Sequence, residues 1–240
     1  MDALASMFLW LDTSAQLLQR VCVVVSIAFV SFRAEWLRRA LRGASARWTD
    51  TGVVIVVFGM LAILGSHGGI VVDVHQGIQA ASWPASLREE QAIINFRDVL
   101  VVSAGLLGGL GTGVGVGFLA GLERYLLGGF SGLACGLASL LTGLGAGLFG
   151  RLYSAAARPW TASVVSVAAL VLQKGLVLLL VSPFEDAVQL VRLTLVPTLA
   201  VNVVGCYLFM AVAQTLDRDR LQLLARQAEL RALRAQVEPH

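Results

Sequence analysis

The 240 residues are 57% hydrophobic and only 14% charged, with a mean hydropathy of +0.79. A soluble domain of this length carries about a quarter charged residues, so the composition describes an integral membrane protein. The net charge of +3 is too small to mark a nucleic-acid binder, and Lys174 is the single lysine among 18 basic residues. Cys22, Cys135 and Cys206 are odd in number, lie in apolar segments and lack CxxC spacing, which excludes a disulfide framework.

The first apolar segment runs from about Met7 to Phe32. Asp2 and Asp12 precede its first arginine, Arg20, unlike the basic start of a cleavable signal, so residues 1–32 are expected to persist as a first transmembrane helix. Residues 33–50 form a basic loop, with Arg33, Arg38, Arg39, Arg42 and Arg47 against Glu35 and Asp50. The positive-inside rule makes this loop cytoplasmic and the N-terminus external. Further apolar segments follow at 51–66 (extending toward 72), 98–122, 131–150, 160–181 and 192–214. The fold class is thus all-α, with about six hydrophobic segments.

Segment 98–122 is unusual: 16 of the 25 glycines fall between Gly105 and Gly150. The tail from Asp217 carries Arg218, Arg220, Arg226, Arg231 and Arg234 and is expected to be a second cytoplasmic element. Between two cytoplasmic points the chain crosses an even number of times. One straight span at 98–122 breaks that parity, whereas a hairpin of two half-helices, broken near Gly108–Gly111, restores it. Broken backbone at membrane depth survives where protein buries it or where it lines a cavity. The hairpin therefore predicts a pocket, with its two ends, Arg97 and Arg124, on one side and Cys135 close by. Two guanidiniums beside an apolar, Gly-rich pocket suit a small carboxylate, which arginine binds bidentately. The structural alternative is anchoring of both arginines at the membrane interface, with Asp98 and Glu123 neutralising them. Arg20 and Lys174 sit within apolar segments and call for partners, for which Asp98 and Glu123 are the candidates.

Other chemistries are weaker. Gly129-Phe130-Ser131-Gly132 matches an intramembrane serine-protease motif, but the only later histidine is His240, in the tail. His67, Asp73 and His75 share a loop with too few ligands for zinc, and no metal site is expected. The Gly113/Gly115/Gly117 run lacks the strand–helix context of a nucleotide loop. A small-anion transporter or channel remains the main alternative, because broken helices and buried cations serve transport too.

The segments Asn95-Phe96-Arg97-Asp98, Leu122-Glu123-Arg124-Tyr125, Gly128-Gly129 and Leu133-Ala134-Cys135 flank the glycine-rich hairpin. With Pro183-Phe184-Glu185-Asp186-Ala187-Val188, Pro197 and Asn202-Val203-Val204-Gly205, they resemble the membrane domain of LytS-type sensor histidine kinases. The final Leu233-Arg234-Ala235-Gln236-Val237-Glu238-Pro239-His240 is similar to the family's phosphoacceptor helix, with His240 at the phosphorylated position. The resemblance implies domains at 51–215 (sensor) and 216–240 (signalling helix) in a bacterial cell membrane. It implies a receptor for an external small carboxylate, pyruvate in relatives, acting through a LytTR-type response regulator. Arg97, Arg124 and Cys135 would be the ligand-responsive positions. Ala138 stands where the family has a serine, with Ser139 one place beyond. Phe96, Glu123, Leu110 and Glu238 also depart from the family pattern. The sequence is expected to be the membrane part of a longer kinase. This stretch would need no cofactor, ATP and Mg²⁺ belonging to a kinase domain beyond it. Leu216, Leu223, Leu230 and Val237 recur every seven residues, a stripe suited to a homodimer. Membrane lipid is the remaining partner expected; nucleic acid is not.

Overall fold

The computed structural model describes residues 3–33, 48–79, 83–153 and 158–237. The basic loop expected at 33–50 and the phosphoacceptor candidate His240 lie largely or wholly outside them. Among the described residues, six helices and three short strands follow in order: α1 (Ala3–Arg33), α2 (Trp48–His67), β1 (Ile70–Asp73), β2 (Gly77–Gln79), β3 (Gln91–Ile94), α3 (Arg97–Leu126), α4 (Gly132–Leu152), α5 (Pro159–Leu180) and α6 (Phe184–Val237). Among the described residues, α2 to α6 are each long and apolar enough to cross a membrane. α1 is not among those five; Asp12, Gln16, Gln19 and Arg20 interrupt its apolar run. The protein is a mostly helical, multi-pass membrane protein.

Helix α3 is the expected hairpin. At Gly109 the backbone leaves the helix, with φ 74° and ψ −164°, a region essentially reserved to glycine. A Cβ built on Gly113 would stand 3.1 Å from the Cα of Gly105. Eight residues of straight helix would separate those positions by about 12 Å, so the two halves fold back on each other.

Small residues set the packing around it, as they do where helices associate without a hydrophobic drive from water. Along α4, Gly136, Ser139 and Gly143 face Gly121, Gly117 and Gly113 of the second half-helix, and Gly147 reaches Gly109. A methyl on Gly113 would collide with the carbonyl oxygen of Gly143, and one on Gly143 with that of Gly113. On the other flank, Thr51, Ile55 and Gly59 of α2 lie against Gly111, Gly115 and Leu119. α1 buries Leu17, Val21, Val24 and Val25 in the main core, and Val21 and Val99 meet over Gly205 of α6.

The segment between α2 and α3, expected to be a polar loop, folds instead into an antiparallel sheet of order β2-β1-β3. Val71 pairs with Gln79 on one side and Ile93 on the other. All four β1 residues are buried, so Ile70-Val71-Val72 is a sheet core rather than an extension of the preceding span. The sheet caps one end of the bundle. Gln189 Nε2 of α6 donates to the Val74 carbonyl at 2.6 Å, and Leu87 N–H donates to the Leu127 carbonyl at 2.8 Å, just past α3.

Candidate functional site

Both ends of the α3 hairpin come to the sheet end, which brings Arg97 and Arg124 into one buried neighbourhood. They are the two largest side chains with essentially no exposure, at 0% and 1%. The two arginines are differently provided for. Arg124 Nη1 donates to the Gly128 carbonyl at 2.6 Å and Nη2 to Ser131 Oγ at 3.1 Å. The acceptor carbonyl is presented by a turn in which Gly128 has φ 86°, a left-handed conformation natural to glycine. Arg97 donates only through Nε, to Asp98 Oδ1 at 3.3 Å. Its Nη1 and Nη2 are buried with no hydrogen-bond partner.

Asp98 is shared, its Oδ2 accepting from Gln173 Nε2 of α5 at 3.3 Å. The next residue, Lys174, donates to Thr194 Oγ1 of α6 at 2.6 Å. The Thr194 hydroxyl donates in turn to the Leu190 carbonyl at 2.7 Å, and Thr198 donates to the Thr194 carbonyl at 2.5 Å. Asn95, Ser131, Cys135, Lys174, Thr194 and Thr198 line one cavity of about 20 Å³ at the centre of this cluster. That is room for about one water molecule. Arg97, Cys135 and Glu123 are all within electrostatic reach of Arg124, and Cys135 and Asp98 of Lys174.

Of the residues expected at the site, Arg97 and Cys135 both come within electrostatic reach of Arg124, and of the three only Cys135 lines the cavity. Ser139 lies one turn beyond Cys135 on α4, fully buried, its hydroxyl donating to the Cys135 carbonyl at 2.9 Å; it does not line the cavity. His240 lies outside the described residues.

The expected pairings are corrected in part. Arg20 reaches neither Asp98 nor Glu123; its Nη1 donates to the Gly68 and Gly69 carbonyls at 2.7 and 2.8 Å, tying α1 to the entry of the sheet. Lys174 binds a hydroxyl, with Asp98 nearby rather than in contact. Glu123 faces His67, Nε2 to Oε1 at 3.2 Å. His67 also contacts the Pro84 carbonyl at 3.1 Å and stacks on Trp83. Asp73 accepts from the backbone N–H of His75 and Gln76 at 2.9 and 3.0 Å, a turn function.

Asn95, Ser131, Gln173, Thr194 and Thr198 line the cavity without being expected there from the sequence. One signal was available: Leu190, Thr194 and Thr198 are four residues apart, so they share one face of α6, and a polar pair on that face of an apolar span needs a reason.

The protein is thus a mostly helical membrane bundle with two buried arginines and a buried lysine clustered at its sheet end. The family described as the 5TMR of 5TMR-LYT matches residues 34–216. The chain is 32% identical over 212 residues to the sensor protein LytS of Bacillus subtilis (strain 168), covering 87% of this chain and 35% of that protein. It is 31% identical over 202 residues to the sensor histidine kinase BtsS of Escherichia coli (strain K12), covering 82% and 33%. No solved structure matches. The chain belongs to the LytS-type five-transmembrane receptor family, and it spans about a third of the length of the curated relatives it matches.

Proposed function

We propose that this chain is the sensor part of a bacterial two-component histidine kinase and binds a small, pyruvate-like carboxylate at Arg97 and Arg124. The observation that carries the reading is the Arg97 guanidinium, fully buried, with Nη1 and Nη2 unpartnered and a second buried guanidinium close by. Two like charges in a low-dielectric interior repel, and a carboxylate between them relieves both that repulsion and the unmet hydrogen bonds. Cys135 and Ser131 contribute to the wall of the cavity, with Ser139 supporting Cys135 from the next turn.

In this reading the sheet end is extracytoplasmic and the N-terminus external, as the charge pattern of the loops suggests. Signal leaves through α6, which carries Thr194 at the site and continues unbroken to Val237. His240 would be the phosphoacceptor. ATP and Mg²⁺ would act in the kinase domain of the full-length protein, a homodimer in the cell membrane that phosphorylates a LytTR-type regulator. The sensor names of the relatives favour this over transport.

The test is calorimetric titration of the detergent-solubilised chain with pyruvate, lactate and acetate, for wild type, Arg97→Ala and Arg124→Ala. Saturable binding by wild type, lost in both folded variants, is the expected result. No heat from folded wild type with any of the three acids would overturn the ligand assignment.

A further inference from the structure

We infer that Lys174 is the specificity-determining residue of this site, reading a second oxygen of the ligand, the one adjoining its carboxylate. The inference rests on the proposed role of Arg97 and Arg124 as the carboxylate anchor.

Lys174 and Ser131 line the same cavity, and Ser131 is held by Arg124. The Arg124 guanidinium therefore stands behind the Ser131 wall of the cavity that Lys174 lines, and Asp98 links Arg97 to Gln173 of the same lining. An ammonium has three N–H donors, and the partner of Lys174 is the neutral hydroxyl of Thr194 at 2.6 Å. Asp98, the nearest carboxylate, is already engaged by Arg97 Nε and Gln173 Nε2. A cation inside a membrane helix bundle ordinarily has a charged partner or a function. Here a hydroxyl occupies the place of one, and Thr194 completes its own bonding by donating to Leu190.

Charge narrows the ligand class. Arg97, Arg124 and Lys174 face the carboxylates of Asp98 and Glu123 in this cluster, leaving one positive charge. The site thus complements a monoanion. A 2-oxo or 2-hydroxy monocarboxylate offers an acceptor to each cation: its carboxylate takes Arg97 Nη1 and Nη2, and its neutral oxygen takes one N–H of Lys174. The cavity holds about one water as it stands, so the ligand enters as Lys174 leaves Thr194 for the incoming oxygen.

The test compares pyruvate and lactate with propionate, which has the same carbon chain without the second oxygen. Titrations use the whole chain as wild type, Lys174→Met and Lys174→Gln, with thermal unfolding to establish that each is folded. Wild type should prefer pyruvate or lactate to propionate by about ten- to hundredfold, the worth of one charge-assisted hydrogen bond. In Lys174→Met the preference should vanish, with pyruvate and lactate binding weakened about ten- to hundredfold more than propionate binding. Lys174→Gln retains a donor and should be intermediate; it also supplies the readout if the Met variant does not fold. A folded Lys174→Met that keeps the wild-type preference, or a wild type that does not discriminate, overturns the inference and leaves the arginine anchor standing. A wild type that binds none of the acids overturns the anchor, and this inference with it.

Discussion

Asp98 holds Arg97 by a single contact, Nε to Oδ1 at 3.3 Å, and spends its other oxygen on Gln173. The carboxylate thereby compensates the arginine's charge while leaving both terminal nitrogens free. Asp98→Ala should cost about 3–5 kcal/mol, because it strands a buried cation. Gln173→Leu removes one hydrogen bond to the same carboxylate and should cost about 1 kcal/mol. Chemical denaturation in detergent separates the two. Equal losses would show that the charge of Asp98 is not what Arg97 depends on.

The contact between the hairpin and α4 leaves no room for a side chain. Gly143→Val drives methyl groups into the Gly113 carbonyl and should lose about 1–3 kcal/mol. Gly145, on the same helix, has nothing within 4 Å of a built Cβ, so Gly145→Ala should be neutral or stabilising. Thermal unfolding of both variants checks the contrast. A tolerated Gly143→Val would mean the two half-helices do not approach α4 this closely.

Gly109 is a different case, since a Cβ there meets nothing but the backbone sits at φ 74°. Gly109→Ala should cost about 1–3 kcal/mol through backbone strain alone. The discriminating measurement is a double variant with Gly108→Ala, whose added methyl would strike the Thr112 side chain. A straightened helix would make both substitutions harmless.

Arg20 ties α1 to the carbonyls of Gly68 and Gly69. Arg20→Met keeps the stem and removes the donors, and should lower stability by about 1.5–3 kcal/mol without changing carboxylate affinity. A loss of binding at unchanged stability would move Arg20 into the ligand site.

The hairpin could be read from the sequence because two independent signals agreed: an odd number of crossings, and glycine density that a straight span does not need. Arg97, Arg124 and Cys135 were legible as a group through that hairpin and the family motifs. The sheet was not legible, because its strands are three or four residues long and Ile70-Val71-Val72 reads as the tail of α2. The partners of Arg20 were hidden for another reason. They are backbone carbonyls exposed by a turn, and sequence advertises only side chains. The GxSG motif around Ser131 points toward a nucleophile, whereas the Ser131 hydroxyl accepts from Arg124. The spacing of Thr194 and Thr198 marks a polar face of α6, but the contact of Thr194 with Lys174 depends on how α5 and α6 are rotated toward each other, which residue spacing alone does not fix.

The most direct measurement is side-chain ¹⁵N-arginine NMR of the solubilised chain, with and without pyruvate, Arg97 and Arg20 being assigned by the loss of their signals in Arg97→Lys and Arg20→Lys. The unpartnered Nη groups of Arg97 should shift saturably as the carboxylate binds, while those of Arg20, bonded to Gly68 and Gly69, stay in place. Binding detected by calorimetry with no movement of the Arg97 signals would contradict the account, because the ligand would then be held elsewhere.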